Sequence, residues 1–132
     1  MTLIIDVSGI AQILFHQEKA EKFSNIITEA DYIITPDLFV PELANVLWKC
    51  HFMGKYDRDE CRRLIGDSLN YIDSFIDSRT IWQEAFDEGT KYRHPVYDML
   101  YAITARRNSG TLLTNDGDLA KICKKLQIGL CH

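Results

Sequence analysis

Four carboxylates stand where the apolar pattern of this 132-residue chain gives no other reason for a charge. Asp6 ends the run Leu3-Ile4-Ile5, and Glu42 lies inside Leu38-Phe39-Val40-Pro41-Glu42-Leu43-Ala44. Asp98 interrupts Val96-Tyr97-Asp98-Met99-Leu100-Tyr101, and Asp116 follows Thr111-Leu112-Leu113-Thr114. A carboxylate among buried groups needs a partner, a proton or a cation to offset its lost hydration. One such residue is ordinarily a core ion pair, whereas four spread over the whole chain point to a convergent site. Carboxylates gathered in one place repel each other, and a hard divalent ion relieves the repulsion. An all-oxygen donor set suits Mg²⁺ or Mn²⁺, which can orient a phosphodiester and activate water. Zinc is disfavoured, because Cys50, Cys61, Cys123 and Cys131 form no CxxC pair and gather no histidine cluster.

The elements that must carry these residues follow from periodicity and punctuation. Thr2–Ile5, Tyr32–Thr35, Thr111–Thr114 and Ile128–Cys131 read as short buried strands, with Arg79–Trp82 as a short edge strand. Ser8 is positioned to cap a short helix over Gly9–Phe15, and Glu18–Ala30 follows with its apolar residues on one face. Pro36 suits the first turn of a helix that runs to about Phe52, with Pro41 making that start irregular. Asp57 and Glu60 resemble a capping box opening a long helix whose stripe extends through Leu69, Ile72 and Phe75. Helices are also expected over Glu84–Tyr92, Val96–Arg107 and Leu119–Leu126, with Asp118 as the cap of the last. Short apolar strands alternating with amphipathic helices mean a three-layer α/β/α, Rossmann-like domain with a central, mostly parallel sheet. In such sheets ligands bind beyond the carboxyl ends of the strands, the edge from which Asp6, Glu42, Asp98 and Asp116 all issue. Asp37, beside Pro36, also sits at a strand end and is the leading decoy.

The chain has the size of one domain, residues 1–132, able to bury a core without disulfides. No apolar stretch reaches the roughly 20 residues of a membrane span. Its opening residues lack the basic region and cleavage site of a signal peptide, so a cytoplasmic protein is expected. A net charge of −4 disfavours avid non-specific nucleic-acid binding, although metal-ligating carboxylates bias that count downward.

Four segments together resemble the acidic motifs of PIN-domain ribonucleases. They are Ile4-Ile5-Asp6-Val7-Ser8, Pro41-Glu42-Leu43-Ala44-Asn45-Val46-Leu47, His94-Pro95-Val96-Tyr97-Asp98-Met99-Leu100-Tyr101 and Leu113-Thr114-Asn115-Asp116-Gly117-Asp118-Leu119. They come in the family's order over nearly the full length, and the compact form is most similar to the VapC toxins of toxin–antitoxin pairs. The resemblance implies a Mg²⁺- or Mn²⁺-dependent endoribonuclease that leaves 5′-phosphate and 3′-hydroxyl ends. It also implies a homodimer held inactive by an antitoxin. It assigns Asp6, Glu42, Asp98 and Asp116 to metal binding and catalysis, with Asp118 as an additional acid. Ser8, Thr114 and Asn45 match polar positions supporting the site, and Glu42–Leu69 matches the helices used for dimer and antitoxin contacts. Two other readings stand beside it. One is a catalytically silent relative that binds RNA or protein. The other is a haloacid-dehalogenase-like phosphatase, disfavoured because Ser8 occupies the position of that chemistry's second Asp.

Overall fold

A computed structural model describes all 132 residues. Five strands form one sheet: β1 (Thr2–Ile5), β2 (Tyr32–Pro36), β3 (Ser74–Ile76), β4 (Thr111–Leu113) and β5 (Gly129–Cys131). Their spatial order is β3-β2-β1-β4-β5 and every pairing is parallel. Parallel neighbours need crossover connections, and helices supply them. The helices α1 (Val7–Leu14) and α2 (Ala20–Glu29) join β1 to β2, while α3 (Phe39–Phe52) and α4 (Arg58–Leu69) join β2 to β3. On the return path α5 (Trp82–Tyr92) and α6 (Val96–Arg107) lead to β4, and α7 (Gly117–Lys125) leads to β5. The helix α1 packs against α2, α3 and α4, and α6 packs against α5, α7 and the central strands, giving two helical layers around the sheet.

The central strands are apolar on both faces because both are covered: Leu3, Ile4, Ile5, Leu112 and Leu113 are fully buried. The core continues into Phe23, Phe39, Leu43, Leu47, Met99 and Ile103. Strand order reverses between β1 and β4, and that reversal opens a crevice at the carboxyl edge. Ile5 pairs with Leu113, so the next residues on each strand, Asp6 and Thr114, emerge side by side there.

The structure departs from the sequence reading at several element boundaries. Asp6, not Ser8, caps α1, its carboxylate accepting from the Gly9 amide while Ser8 lies inside the helix. Pro36 ends β2 opposite Ile76 rather than opening a helix. At a strand terminus its missing donor costs little, and Pro41 takes the tolerated first-turn place in α3 instead. Ile72 and Phe75 lie beyond α4, which stops at Leu69; Phe75 belongs to β3, drawn into the sheet by pairing with β2. The segment read as an edge strand, Arg79–Trp82, is a 3₁₀ turn over Ser78–Thr80 leading into α5. Asp77 holds that turn by accepting from the Arg79 amide and pairing with its guanidinium, a local bond that outcompetes extension. By contrast Asp57 caps α4 through the Glu60 amide, and Pro95 immediately precedes α6, both as expected.

Candidate active site

Asp6 is 6% exposed, and every donor near it is aimed at its carboxylate. Ser8 Oγ donates to Oδ1 at 2.8 Å and the Gly9 amide donates to the same oxygen at 2.7 Å. Thr114 Oγ1 donates to Oδ2 at 2.5 Å. The two hydroxyls lie 3.1 Å apart and in turn accept the Asn115 and Asp116 amides. This network locks the end of β1 to the end of β4. Gly9 is required in it: a Cβ there would lie 2.8 Å from the Leu113 carbonyl and 3.3 Å from Asp6 Oδ1. Despite three donors, the Asp6 carboxyl is pushed up from 3.8 to about 6, because burial removes its water and the Asp116 charge adds to the effect.

Glu42 projects from the first turn of α3 and is bound by a residue of α6. Tyr101 Oη donates to Glu42 Oε1 at 2.5 Å. Burial raises the Glu42 carboxyl and the Asp98 charge raises it further, against the lowering effect of the Tyr101 bond. The Tyr101 phenol is itself driven well above its ordinary range by burial and by the Glu42 charge, so it stays a donor. Asp98, in the first turn of α6, is held by His94 Nε2 at 2.9 Å from the preceding turn. Its carboxyl is raised chiefly by burial, then by the charges of Asp116 and Asp118. Asp116 caps α7, its Oδ1 accepting from the Asp118 and Leu119 amides while Oδ2 makes no hydrogen bond.

The four acids therefore issue from four elements meeting at the crevice, and their charges act on one another: Asp116 on Asp6 and Asp98, Asp98 on Glu42. None pairs with a lysine or arginine. No three Asp, Glu, His or Cys side chains are drawn together tightly enough to enclose an ion, since Tyr101, His94 and the α7 amides each hold one carboxylate. Asp118 is an exposed first-turn residue of α7, and the cap it was expected to provide belongs to Asp116. Asn45 is exposed one turn beyond Glu42 and makes no side-chain hydrogen bond to any of the four carboxylates. Asp37 is structural, accepting from the Ser78 amide and hydroxyl. Tyr101 was findable because it follows Asp98 by three residues, a spacing that shares a helix face, and His94 because it stands four residues before Asp98, just ahead of α6.

The PIN-domain profile matches residues 3–125. The chain belongs to the PIN-domain family. Within that family it is 29% identical over 126 residues to ribonuclease VapC3 of Pyrobaculum aerophilum, covering 92% of this chain and 94% of that protein. The fold of this PIN domain matches the crystal structure of PAE2754 from Pyrobaculum aerophilum with a TM-score of 0.73 at 20% identity, over 90% of this chain and 77% of that one. It also matches VapBC2 from Rickettsia felis, solved bound to a DNA fragment from its promoter. There the TM-score is 0.68 at 16% identity, over 99% of this chain and 98% of that one. No helix of this PIN domain is long and apolar enough to cross a membrane.

Proposed function

We propose that this PIN domain is a metal-dependent endoribonuclease, the toxin of a toxin–antitoxin pair, which hydrolyses RNA phosphodiester bonds at Asp6, Glu42, Asp98 and Asp116. The observation that carries the reading is four mutually coupled, half-buried or buried carboxylates with no lysine or arginine to neutralise them. Such a cluster fits a hard divalent ion, Mg²⁺ or Mn²⁺. The only thiol that feels its charges, Cys123, is pushed up to about 12 by burial and so stays protonated, which leaves an all-oxygen donor set. Bound there, the ion would neutralise the carboxylates and the leaving oxygen and make water more acidic.

The remaining work belongs to the chain. Ser8, Gly9 and Thr114 fix Asp6 in one orientation, so its ionised form is presented without a search over rotamers. Tyr101 and His94 do the same for Glu42 and Asp98, each leaving the second carboxylate oxygen outside the bond. The free Oδ2 of Asp116 faces no competing donor. Likeness to a VapC ribonuclease supports RNA as the substrate, and likeness to a VapBC structure supports a partner protein. The partner face, for a second copy and an antitoxin, is α3–α4. There Trp48 and Phe52 are 56% and 70% exposed with ring centroids 4.9 Å apart, an apolar surface that a lone chain leaves wet. The setting is cytoplasmic.

The test is cleavage of total cellular RNA by purified, partner-free protein in Mg²⁺, Mn²⁺ or EDTA, with Asp6→Asn and Asp98→Asn alongside. Metal-dependent fragments that vanish in both variants are expected. A silent binding module is the second reading, favoured by the lack of a closed ion cage. It wins if folded protein takes up Mn²⁺ without cutting any RNA, or takes up none.

A further inference from the structure

Asp98 is also part of the wall of a second feature, a cavity of about 380 Å³ between the α5–α6 turn and α7. Arg93 and His94 line it from the turn, and Asp118, Lys121 and Lys125 line it from α7. The α7 residues recur at the spacing of one helix face, with Asp118 in the first turn and Lys125 at the end. Lys121 and Lys125 are thus one turn, about 6 Å, apart along the axis.

The three cations are uncommitted. Arg58, Arg63, Arg79, Arg106 and Arg107 each pair with a carboxylate. Arg93, Lys121 and Lys125 pair with none, although Asp118 shares their cavity. A protein of net charge −4 draws a polyanion weakly, so cations beside the acids add to the attraction that a bound ion would supply. Arginine and lysine suit phosphate, by a planar fork and by a point charge respectively. The size is restrictive. A cavity near the lower end of the roughly 300–1,000 Å³ range of ligand pockets accepts one nucleotide, not a duplex.

We propose that this cavity is a subsite for single-stranded RNA, in which Arg93, Lys121 and Lys125 hold the backbone phosphate next to the scissile one. The subsite rests on the nuclease reading of the acidic site, and binding separates the two. The probe is a short, end-labelled single-stranded RNA of mixed sequence, titrated in Mg²⁺ over a series of KCl concentrations. The protein is the full chain carrying Asp6→Asn to block cleavage, since Asp6 does not line the cavity. Adding R93A, K121A and K125A is expected to weaken binding at least about tenfold. It should also flatten the slope of log affinity against log salt by about 0.7, the value for one phosphate neutralised on a single strand. The matched control is K49A, K55A and R62A, which removes the same charge from exposed residues of α3, α4 and the loop between them; it should change affinity less than twofold. Equal weakening by both triples, an unchanged slope, or no RNA binding by the Asp6→Asn protein overturns the subsite. Selective loss of binding establishes the subsite even if wild-type protein never cuts RNA. Conversely, a wild-type nuclease whose KM is unmoved by the pocket triple keeps its function and loses the subsite.

Discussion

Asp6→Asn should make the metal-free protein more stable, and increasingly so as pH rises. In the unfolded chain the Asp6 carboxyl ionises at its ordinary 3.8, and in the folded protein it keeps its proton up to about 6. Between those values the folded state binds the extra proton, so stability falls as pH rises through this window and is level above it. At about 1.4 kcal/mol per pH unit the whole rise amounts to about 3 kcal/mol. Asparagine keeps the shape and the acceptor for Ser8 and Gly9 but has no charge to desolvate. Thr114 can reverse its hydroxyl to accept from the new amide. Any fixed cost of the substitution cancels when two pH values are compared. The advantage of Asp6→Asn should therefore grow by about 2 kcal/mol between about pH 4.5 and about pH 7.5. For a chain of this size that is on the order of 5–10 °C in Tm. The assay is urea or thermal denaturation of both proteins in EDTA across that range. An advantage that stays flat or shrinks with pH would refute the account of Asp6 as a carboxylate held against its own desolvation.

Mn²⁺ at about 100 times its Kd should raise the stability of wild-type protein by about 2.7 kcal/mol, and that of Asp6→Asn far less, as calorimetry can read. Tyr101→Phe removes a hydrogen bond to a charged partner worth about 1.5–3 kcal/mol. It should lower kcat about tenfold to a hundredfold with little change in KM for RNA. Gly9→Ala forces a methyl against the Leu113 carbonyl and Asp6. It should cost about 1–3 kcal/mol on denaturation, the usual cost of overpacking, and cut activity by more than the stability loss explains.

The central strands β1, β2 and β4 were legible because they are short, apolar and largely buried, whereas β3, whose residues are only partly buried or exposed, was not. The four acids were legible for the same reason: each breaks an apolar run. The sequence signal was weakest where one local hydrogen bond decides the outcome. Asp6 and Ser8 are both capping residues, and the choice between them depends on Thr114 arriving from β4, a contact across 108 residues. Arg79–Trp82 carries the β-branched and aromatic residues of a strand, but Asp77 turns the backbone there. Tyr101 reads as one more core aromatic, and only the approach of α3 turns its hydroxyl into a support for Glu42. Pro36 satisfies both a strand end and a helix start, and pairing with β3 settled it.

The strand order carries a consequence for how the protein is made. The strand β1 lies in the middle of the sheet, and its second neighbour, β4, is made much later, beginning only at Thr111. Until then one edge of β1 has no partner, and the carboxylate of Asp6 lacks the Thr114 hydroxyl that orients it. A ribosome-bound or prematurely terminated chain therefore carries Asp6, Glu42 and Asp98 but neither Asp116 nor the clamp that aligns them. The order of synthesis thus delays the gathering of the four carboxylates until β4 and the turn after it have emerged.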